Sequence, residues 1–383
     1  VEESSSKRSK VEESSSESEP DSDSVVEGHA AVQALDRALL LGGPRFRAIT
    51  QHLAQLLTSS ARFLSSTAQP SSGSGAGADS SSSPPPRLPL LTDLPRCAPP
   101  VPHPHAQPIA RVPLCSLERF YQEHMATGTP VILTSLTDQW PALTRWADAN
   151  YLQEVCGGRT VPVEVGPHYL HDEWSQKLMP FSTFLRKHIL QSTNTEQSSG
   201  AADCTPASDS TRAGGSSAES EPSINGSHDI PVGYLAQTQL FEQIPRLAED
   251  VEIPLYCSLS SRATTDEQVK VNFWFGPMNT ISPAHTDPYH NLLTQVVGEK
   301  YIRLYAPIYT AQLYPHQGSK LLENSSQVDV EHPDLERFPE FASAIPQECV
   351  LAAGEMLYIP PKHWHYVRSL STSISLSFWW QSD

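Results

Sequence analysis

The sequence lacks two patterns that would readily assign it to a class. None of its six cysteines forms a CxxC pair, which excludes a zinc ribbon and a thioredoxin-type motif. Scattered single cysteines instead indicate reduced thiols, as in the cytosol or the nucleus. There is also no run of about 18 apolar residues, so we expect no transmembrane helix and no membrane partner.

Positive charge is scarce as well. The 383 residues include 43 acidic and 26 basic side chains, for a formal net charge of −17. This balance argues against direct nucleic-acid binding, which needs a basic surface, and suits a basic peptide or protein partner. Only 38% of the residues are hydrophobic and 34 are proline, so part of the chain is predicted not to fold.

Composition divides the N-terminal part into three segments. Residues 1–24 are mostly serine and acidic residues and are predicted to form a disordered tail. Within this tail, Lys7–Lys10 (KRSK) is a candidate nuclear-localisation signal, with a simple solvated tail as the alternative. Apolar residues at helical spacing over 25–66 predict a helical hairpin, part of a larger helical module that begins upstream. Residues 67–102 are rich in serine and proline and are predicted to be a linker.

Strand patterns dominate residues 103–383. Apolar or alternating runs occur at 129–133, 160–165, 269–275, 292–297, 300–305, 356–359 and 373–380. Short strands separated by turns indicate a β-barrel or jelly roll. Residues 191–228 repeat the serine-rich composition between two core-like stretches, so we expect a disordered insertion within this domain.

A candidate metal site follows from three residues. His285 and Asp287 lie two positions apart, so on an extended chain both side chains project to one face. A third ligand comes from the segment 362–366 (KHWHY), where His365 is preferred over His363 because it begins a strand-like run. We expect His363 to be exposed or to lie behind the ligands. Two histidines and one carboxylate form the facial triad of non-haem Fe(II) oxygenases, with positions open for a bidentate cosubstrate and for O2.

A candidate cosubstrate site follows from a predicted hairpin. Gly298-Glu299 suits a two-residue turn that pairs Val297 with Lys300 and points Lys300 and Asn291 to the same apolar face. A buried lysine needs an anion, and the free carboxylate of 2-oxoglutarate would supply one. Hydroxyl donors could come from Ser282 and Tyr234, although spacing alone does not show this.

Two stretches resemble the JmjC oxygenases, and in particular the smaller hydroxylase-type members. They are NFWFGPMNTISPAHTDPYHNLLTQVVGEKYIRLY (272–305) and GEMLYIPPKHWHYVRSLSTSISLSFWWQ (354–381). The resemblance extends over about 103–383 outside the serine-rich insertion. It implies a mainly β fold, a double-stranded β-helix (a cupin-like jelly roll) with flanking helices, preceded by a small helical segment.

By matching positions, the resemblance also implies roles for individual residues. Iron falls on His285, Asp287 and His365. The 2-oxoglutarate contacts fall on Tyr234, Ser282, Asn291 and Lys300, and the pocket for a substrate arginine on Glu164, Tyr169, Trp174, Gln237 and Trp274. Departures around the iron motif, such as Ala284 and Thr286, remove no ligand. Fe(II), 2-oxoglutarate and O2 are therefore the expected cofactor and cosubstrates.

Three functions compete: a protein hydroxylase acting on arginine, an N-methyl-lysine demethylase that uses the same iron site, and a catalytically silent binding module. The third would be favoured by a missing metal ligand, and none is missing. Glu164 favours arginine, since a carboxylate accepts two guanidinium hydrogen bonds in one plane. We therefore expect arginine-containing protein substrates, with histone tails among the candidates, and a nuclear location with cytoplasm as a second compartment.

Overall fold

The computed structural model describes residues 22–41, 50, 51, 53, 87–191, 231–259, 269–318, 320 and 322–381. Residues 1–21 of the predicted acidic tail, 67–86 of the predicted linker and 192–228 of the predicted insertion lie outside these residues. Fourteen β-strands run through the described part: β1 (Gln107–Pro108), β2 (Arg111–Val112), β3 (Val131–Leu133), β4 (Thr160–Val165), β5 (Ser175–Pro180), β6 (Gly233–Thr238), β7 (Lys270–Gly276), β8 (Ile281–His285), β9 (His290–Val297), β10 (Glu299–Tyr305), β11 (Gln347–Ala352), β12 (Met356–Ile359), β13 (Trp364–Ser369) and β14 (Ser373–Trp380). Every run predicted to be a strand contains one, although the first is a strand only over Val131–Leu133.

The helices are few and mostly short. The described α-helices are α1 (Ser22–Leu41), α2 (Leu117–Phe120), α3 (Ala142–Arg145), α4 (Ala149–Cys156), α5 (Phe181–Phe184), α6 (Leu240–Gln243) and α7 (Pro245–Ala248). Helix α1 confirms the first half of the predicted hairpin. Of the second half, Thr50, Gln51 and Leu53 are described, and all three are helical. No described helix combines the length and apolar character that a membrane span requires.

The strands form two sheets with a shared interior. One has nine strands in the order β2-β3-β12-β9-β14-β7-β6-β4-β5, and the other has five in the order β1-β11-β10-β13-β8. An apolar cluster joins Leu293 and Leu357 of the larger sheet to Ile302, Leu351 and Val367 of the smaller one. The two sheets therefore pack face to face, which confirms the double-stranded β-helix.

The predicted hairpin between β9 and β10 is wrong. Strand β9 pairs with β12 and β14, whereas β10 pairs with β11 and β13. The chain passes from one sheet to the other at Gly298, whose φ of +77° favours glycine. A Cβ there would lie 2.2 Å from the carbonyl oxygen of Thr372. The chain thus crosses between the sheets at this glycine. In sequence, Gly298-Glu299 resembles a two-residue hairpin turn.

Candidate active site

Two neighbouring antiparallel strands bring the predicted histidine ligands together. His285 ends β8 and lies directly opposite His365 near the start of β13. Directly opposed side chains share one face of a sheet, and here the ring centroids are 4.1 Å apart. The pairing register shifts just beyond His365, at a bulge before Val367. The strand pairing therefore holds both imidazoles side by side at the mouth of the barrel.

Asp287 completes the cluster from the loop after β8. Its backbone carbonyl accepts a hydrogen bond from Lys362 N at 2.8 Å, which ties this loop to the turn before β13. Its Oδ2 lies 3.5 Å from His365 Nε2, and one ligand atom from each of His285, Asp287 and His365 lies within 4.8 Å of the others. Burial opposes ionisation of Asp287, but the hydrogen bond and charge of His365 outweigh it, so its pKa is lowered. A carboxylate is thus present at neutral pH.

Backbone carbonyls fix the orientation of both rings. His285 Nδ1 donates to the carbonyl of Pro283 at 2.7 Å, and His365 Nδ1 donates to that of His363 at 3.0 Å. Because each Nδ1 donates to a carbonyl, Nε2 is the nitrogen of each ring that is left to bind a metal ion. Burial, together with the neighbouring His365, lowers the pKa of His285 to about 4, so this ring is neutral at physiological pH.

Two other histidines lie outside the cluster. His363 is 5% exposed, which excludes the exposed one of its two expected positions, and burial lowers its pKa to about 4. It lies behind the ligands, where its carbonyl holds His365. His290 shares a hydrogen bond of 2.7 Å with the Tyr358 hydroxyl and stacks on Trp380, so it has a structural role.

The four predicted 2-oxoglutarate residues line one cavity together with the three metal-site residues. Lys300 is 2% exposed, and burial alone lowers its pKa to about 7. Its Nζ lies 3.4 Å from the Tyr234 hydroxyl, and no carboxylate of the described chain forms a salt bridge with it. The side-chain oxygen of Asn291 is also buried without a partner among the described residues. Ser282 lies on β8, three residues before His285.

These residues fit the iron and cosubstrate that the sequence implies. The donor set of two imidazoles and one carboxylate is that of the non-haem iron triad. A buried ammonium group is costly unless a ligand of opposite charge completes it. A dicarboxylate would do so, with one carboxylate facing Lys300.

A cleft of about 840 Å³ opens onto the metal site and contains all five predicted substrate residues. The indole nitrogen of Trp174 donates to Glu164 Oε2 at 3.1 Å, and burial raises the pKa of Glu164. The Tyr169 hydroxyl lies 3.2 Å from Ser325 Oγ, and Trp274 Nε1 donates to Ser377 Oγ at 3.0 Å. Polar atoms therefore hold three of the aromatic rings that line the cleft.

Gln237 is positioned by an irregularity in β6. The pairing of β6 with β7 shifts register between Leu235 and Thr238, and Gln237 has a φ of +46°. Left-handed backbone at a non-glycine residue is uncommon and often occurs at functional positions. The side chain is exposed and lines the cleft.

The sequence interpretation missed several residues that shape the site. Asn324 holds the loop that carries Asp287 by two hydrogen bonds. Thr286 N donates to the backbone carbonyl of Asn324 at 2.8 Å, and the Asn324 side-chain amide donates to Thr286 O at 2.9 Å. Tyr289 stacks on Trp379 at 5.3 Å along another wall of the cleft. Leu39 and Leu40 of α1 also line it. The positions of Tyr289 and Trp379 near strand ends could have indicated that they line the site. The contacts of Asn324 and α1 have no local sequence pattern that would predict them.

Comparison with known proteins gives a consistent result. The cupin-like domain family matches residues 117–383. Lysine-specific demethylase 8 of Danio rerio is 44% identical over 274 residues, covering 71% of this chain and 58% of the relative. JmjC domain-containing protein D of Dictyostelium discoideum is 42% identical over 277 residues, covering 70% and 54%. The human bifunctional peptidase and (3S)-lysyl hydroxylase JMJD7 is 25% identical over 288 residues, covering 69% and 81%. The chain thus spans little more than half the length of the first two relatives.

Proposed function

The chain belongs to the JmjC group of the cupin-like family of 2-oxoglutarate-dependent oxygenases, and from this premise we propose that it hydroxylates arginine side chains of protein substrates. His285, Asp287 and His365 would hold Fe(II). Lys300, with the Tyr234 hydroxyl beside it, would bind the free carboxylate of 2-oxoglutarate. When bound, the iron and 2-oxoglutarate supply the oxidising power for inserting an oxygen atom from O2 into a C–H bond.

The observation that carries the arginine proposal is the carboxylate of Glu164. It lines the same cleft as the metal site, burial raises its pKa, and no cation of the described chain forms a salt bridge with it. A desolvated carboxylate is stabilised by a partner of opposite charge, and guanidinium offers two parallel donors. Trp174 holds one carboxylate oxygen, so the group is oriented before substrate binds.

Substitution of Glu164 tests this proposal. Glu164→Gln keeps an oxygen that accepts from Trp174 but removes the charge, at an expected cost of about 2–5 kcal/mol in transition-state binding. Mass spectrometry of an arginine-containing peptide should show that the added oxygen is lost, while slow uncoupled turnover of 2-oxoglutarate continues. Glu173→Gln, at an exposed nearby carboxylate, is the matched control. Full arginine hydroxylation by Glu164→Gln would refute the assigned role.

N-methyl-lysine demethylation is the second candidate. The Danio rerio relative is named a lysine-specific demethylase, and the rings of Tyr169, Trp174 and Trp274 line the cleft, where they could surround a methylammonium group. A dimethyl-lysine peptide assayed beside the arginine peptide separates the two functions. Loss of methyl groups from lysine, with no oxidised arginine, would favour the demethylase.

Partners and location belong to the same proposal. The net charge of −17 suits basic protein segments such as histone tails. Lys7–Lys10, the candidate nuclear signal, lies outside the described residues. Imaging a variant in which these basic residues are replaced by alanine would test it, with a shift from nucleus to cytoplasm expected.

A further inference from the structure

Helix α1 precedes the region that matches the cupin-like family, yet it forms hydrogen bonds and an ion pair with the catalytic domain. Asp36 of α1 accepts from Arg159 Nε at 3.0 Å and from Arg159 Nη2 at 2.5 Å. The two side chains are 0% and 5% exposed, so the pair is out of water. A buried and bidentate pair of this kind specifies one orientation of the two groups.

Further contacts extend the attachment along the domain. Asp36 Oδ2, which accepts from Arg159 Nε, also accepts from the backbone nitrogen of Thr160, the first residue of β4, at 2.9 Å. Val32 and Leu39 of α1 are buried, and Gln51 donates to the Glu242 carbonyl at 3.2 Å. Helix α1 is therefore fixed against the start of β4 by both polar and apolar contacts.

This attachment makes α1 a wall of the substrate cleft. Leu39 and Leu40 line the same cleft as Glu164, and Leu40 is only half-buried. Pro162 and Glu164 share one face of β4, because side chains alternate along a strand. Thr160, where α1 is anchored, lies four residues before Glu164, which corresponds to about 13 Å along the strand.

We propose that Leu39 and Leu40 bind an apolar side chain of the protein substrate, about three or four residues from the target arginine. If the length of β4 between the α1 anchor and Glu164, about 13 Å, is taken as the separation of the two subsites, an extended substrate that advances about 3.3–3.6 Å per residue would bridge them with this spacing. The inference rests on the proposed arginine site, and it assigns part of the sequence preference to a helix outside the family-matched region.

A peptide series tests the spacing. Each peptide carries one central arginine in an alanine and glycine background, with a single leucine placed in turn at each position up to about five residues on either side. With the full chain, Fe(II) and 2-oxoglutarate, we expect the lowest KM for leucine about three or four residues from arginine on one side. The kcat should change little, because the reacting group is unaltered.

Adjacent leucines provide matched variants. Leu40→Ala should raise the KM of the preferred peptide about three- to tenfold, because part of an apolar contact is lost. Leu40→Met, which conserves volume, should retain the preference. Leu41 is 75% exposed and does not line the cleft, so Leu41→Ala should behave as wild type. Equal effects of Leu40→Ala and Leu41→Ala would overturn the inference.

Binding of the labelled peptides, measured by fluorescence anisotropy, separates this inference from the proposed reaction. A leucine preference in binding without any oxidised arginine would support the role of α1 and refute arginine hydroxylation. Arginine hydroxylation that is indifferent to leucine position would support the reaction and refute the role of α1. Melting temperatures of the variants confirm that each one is folded when it is assayed.

Discussion

Buried and half-buried charged side chains fall into two groups that differ in pairing. Arg303 and Glu348 form a salt bridge of 2.7 Å, with both side chains less than 10% exposed. Lys300 and Glu164 have no oppositely charged partner in the described chain, and burial shifts the pKa of each toward its neutral form. An unpaired buried charge is costly, so its retention indicates a ligand that completes it. The two unpaired groups lie in the two connected cavities of the site.

The two histidines of the turn before β13 should differ sharply in metal binding. His365→Ala removes an imidazole that faces Asp287, so Fe(II) affinity should fall by at least tenfold and turnover of 2-oxoglutarate should be lost. His363→Ala leaves the backbone carbonyl that holds His365 and should bind iron nearly as wild type. Anaerobic Fe(II) titration measures both. Iron binding retained by His365→Ala and lost by His363→Ala would show that the ligand assignment is wrong.

Lys300 should couple 2-oxoglutarate binding to proton uptake. Its pKa of about 7 in the free protein means that it is largely neutral at pH 8 and largely charged at pH 6. A bound carboxylate favours the charged form, so binding should take up a proton at pH 8 but hardly at pH 6, and affinity should weaken as pH rises through 7. Calorimetry in buffers of different ionisation enthalpy measures this uptake.

Two substitutions provide the controls. Lys300→Met should raise the apparent KM for 2-oxoglutarate strongly while Fe(II) binding stays nearly intact. Lys300→Arg stays charged at every pH tested, so its binding should release or take up no proton at this position. Unchanged cosubstrate affinity in Lys300→Met would contradict the assignment.

Among the secondary-structure elements, the crossing from β9 to β10 matters most, because it carries the chain from the larger sheet to the smaller one. Asn291 at the start of β9 and Lys300 at the start of β10 reach one cavity from opposite sheets. The predicted hairpin would have placed them on one sheet. The common orientation of the two side chains therefore arises from closure of the barrel.

Substitution at this crossing should cost considerable stability. Gly298→Ala forces a left-handed backbone on alanine and places its Cβ 2.2 Å from Thr372 O, so we expect a loss of about 3 kcal/mol or more in chemical denaturation. Gly318→Ala has a similar φ of +84° but no atom within 4 Å, and should lose only about 1 kcal/mol. Similar losses in both variants would show that the contact with Thr372 contributes nothing.

For the molecule as a whole, we expect that the serine-rich insertion can be removed with little loss of stability. The carbonyl of Pro231 is in contact with His188 Nδ1 at 3.1 Å, so the two sides of the insertion lie close together. Replacing residues 191–228 with a short Gly/Ser linker should change the free energy of unfolding by less than about 2 kcal/mol, because loop-closure entropy varies slowly with length. A large fall in melting temperature would mean that the insertion packs on the domain.

The sequence by itself determined the features that depend on near neighbours. Strand alternation identified β4 over its full length and β14 likewise, because side chains alternate with a period of two. The two-residue spacing of His285 and Asp287 limited the iron motif to one face of an extended segment. Short strands such as β1 and β2, and the largely exposed edge strand β5, were not predicted, since they bury too little to produce a pattern.

Tertiary structure alone decided the features that depend on distant pairing. Only the alignment of β8 with β13 sets His285 opposite His365, and only the separation of β9 from β10 replaces the expected hairpin. The attachment of α1 through Asp36 and Arg159 joins residues 123 positions apart. Such contacts depend on how sheets close and pack, whereas local periodicity reports only which side of its own element a residue occupies. The sequence therefore predicted the candidate metal ligands, whereas the shape of the cleft beside them required the fold.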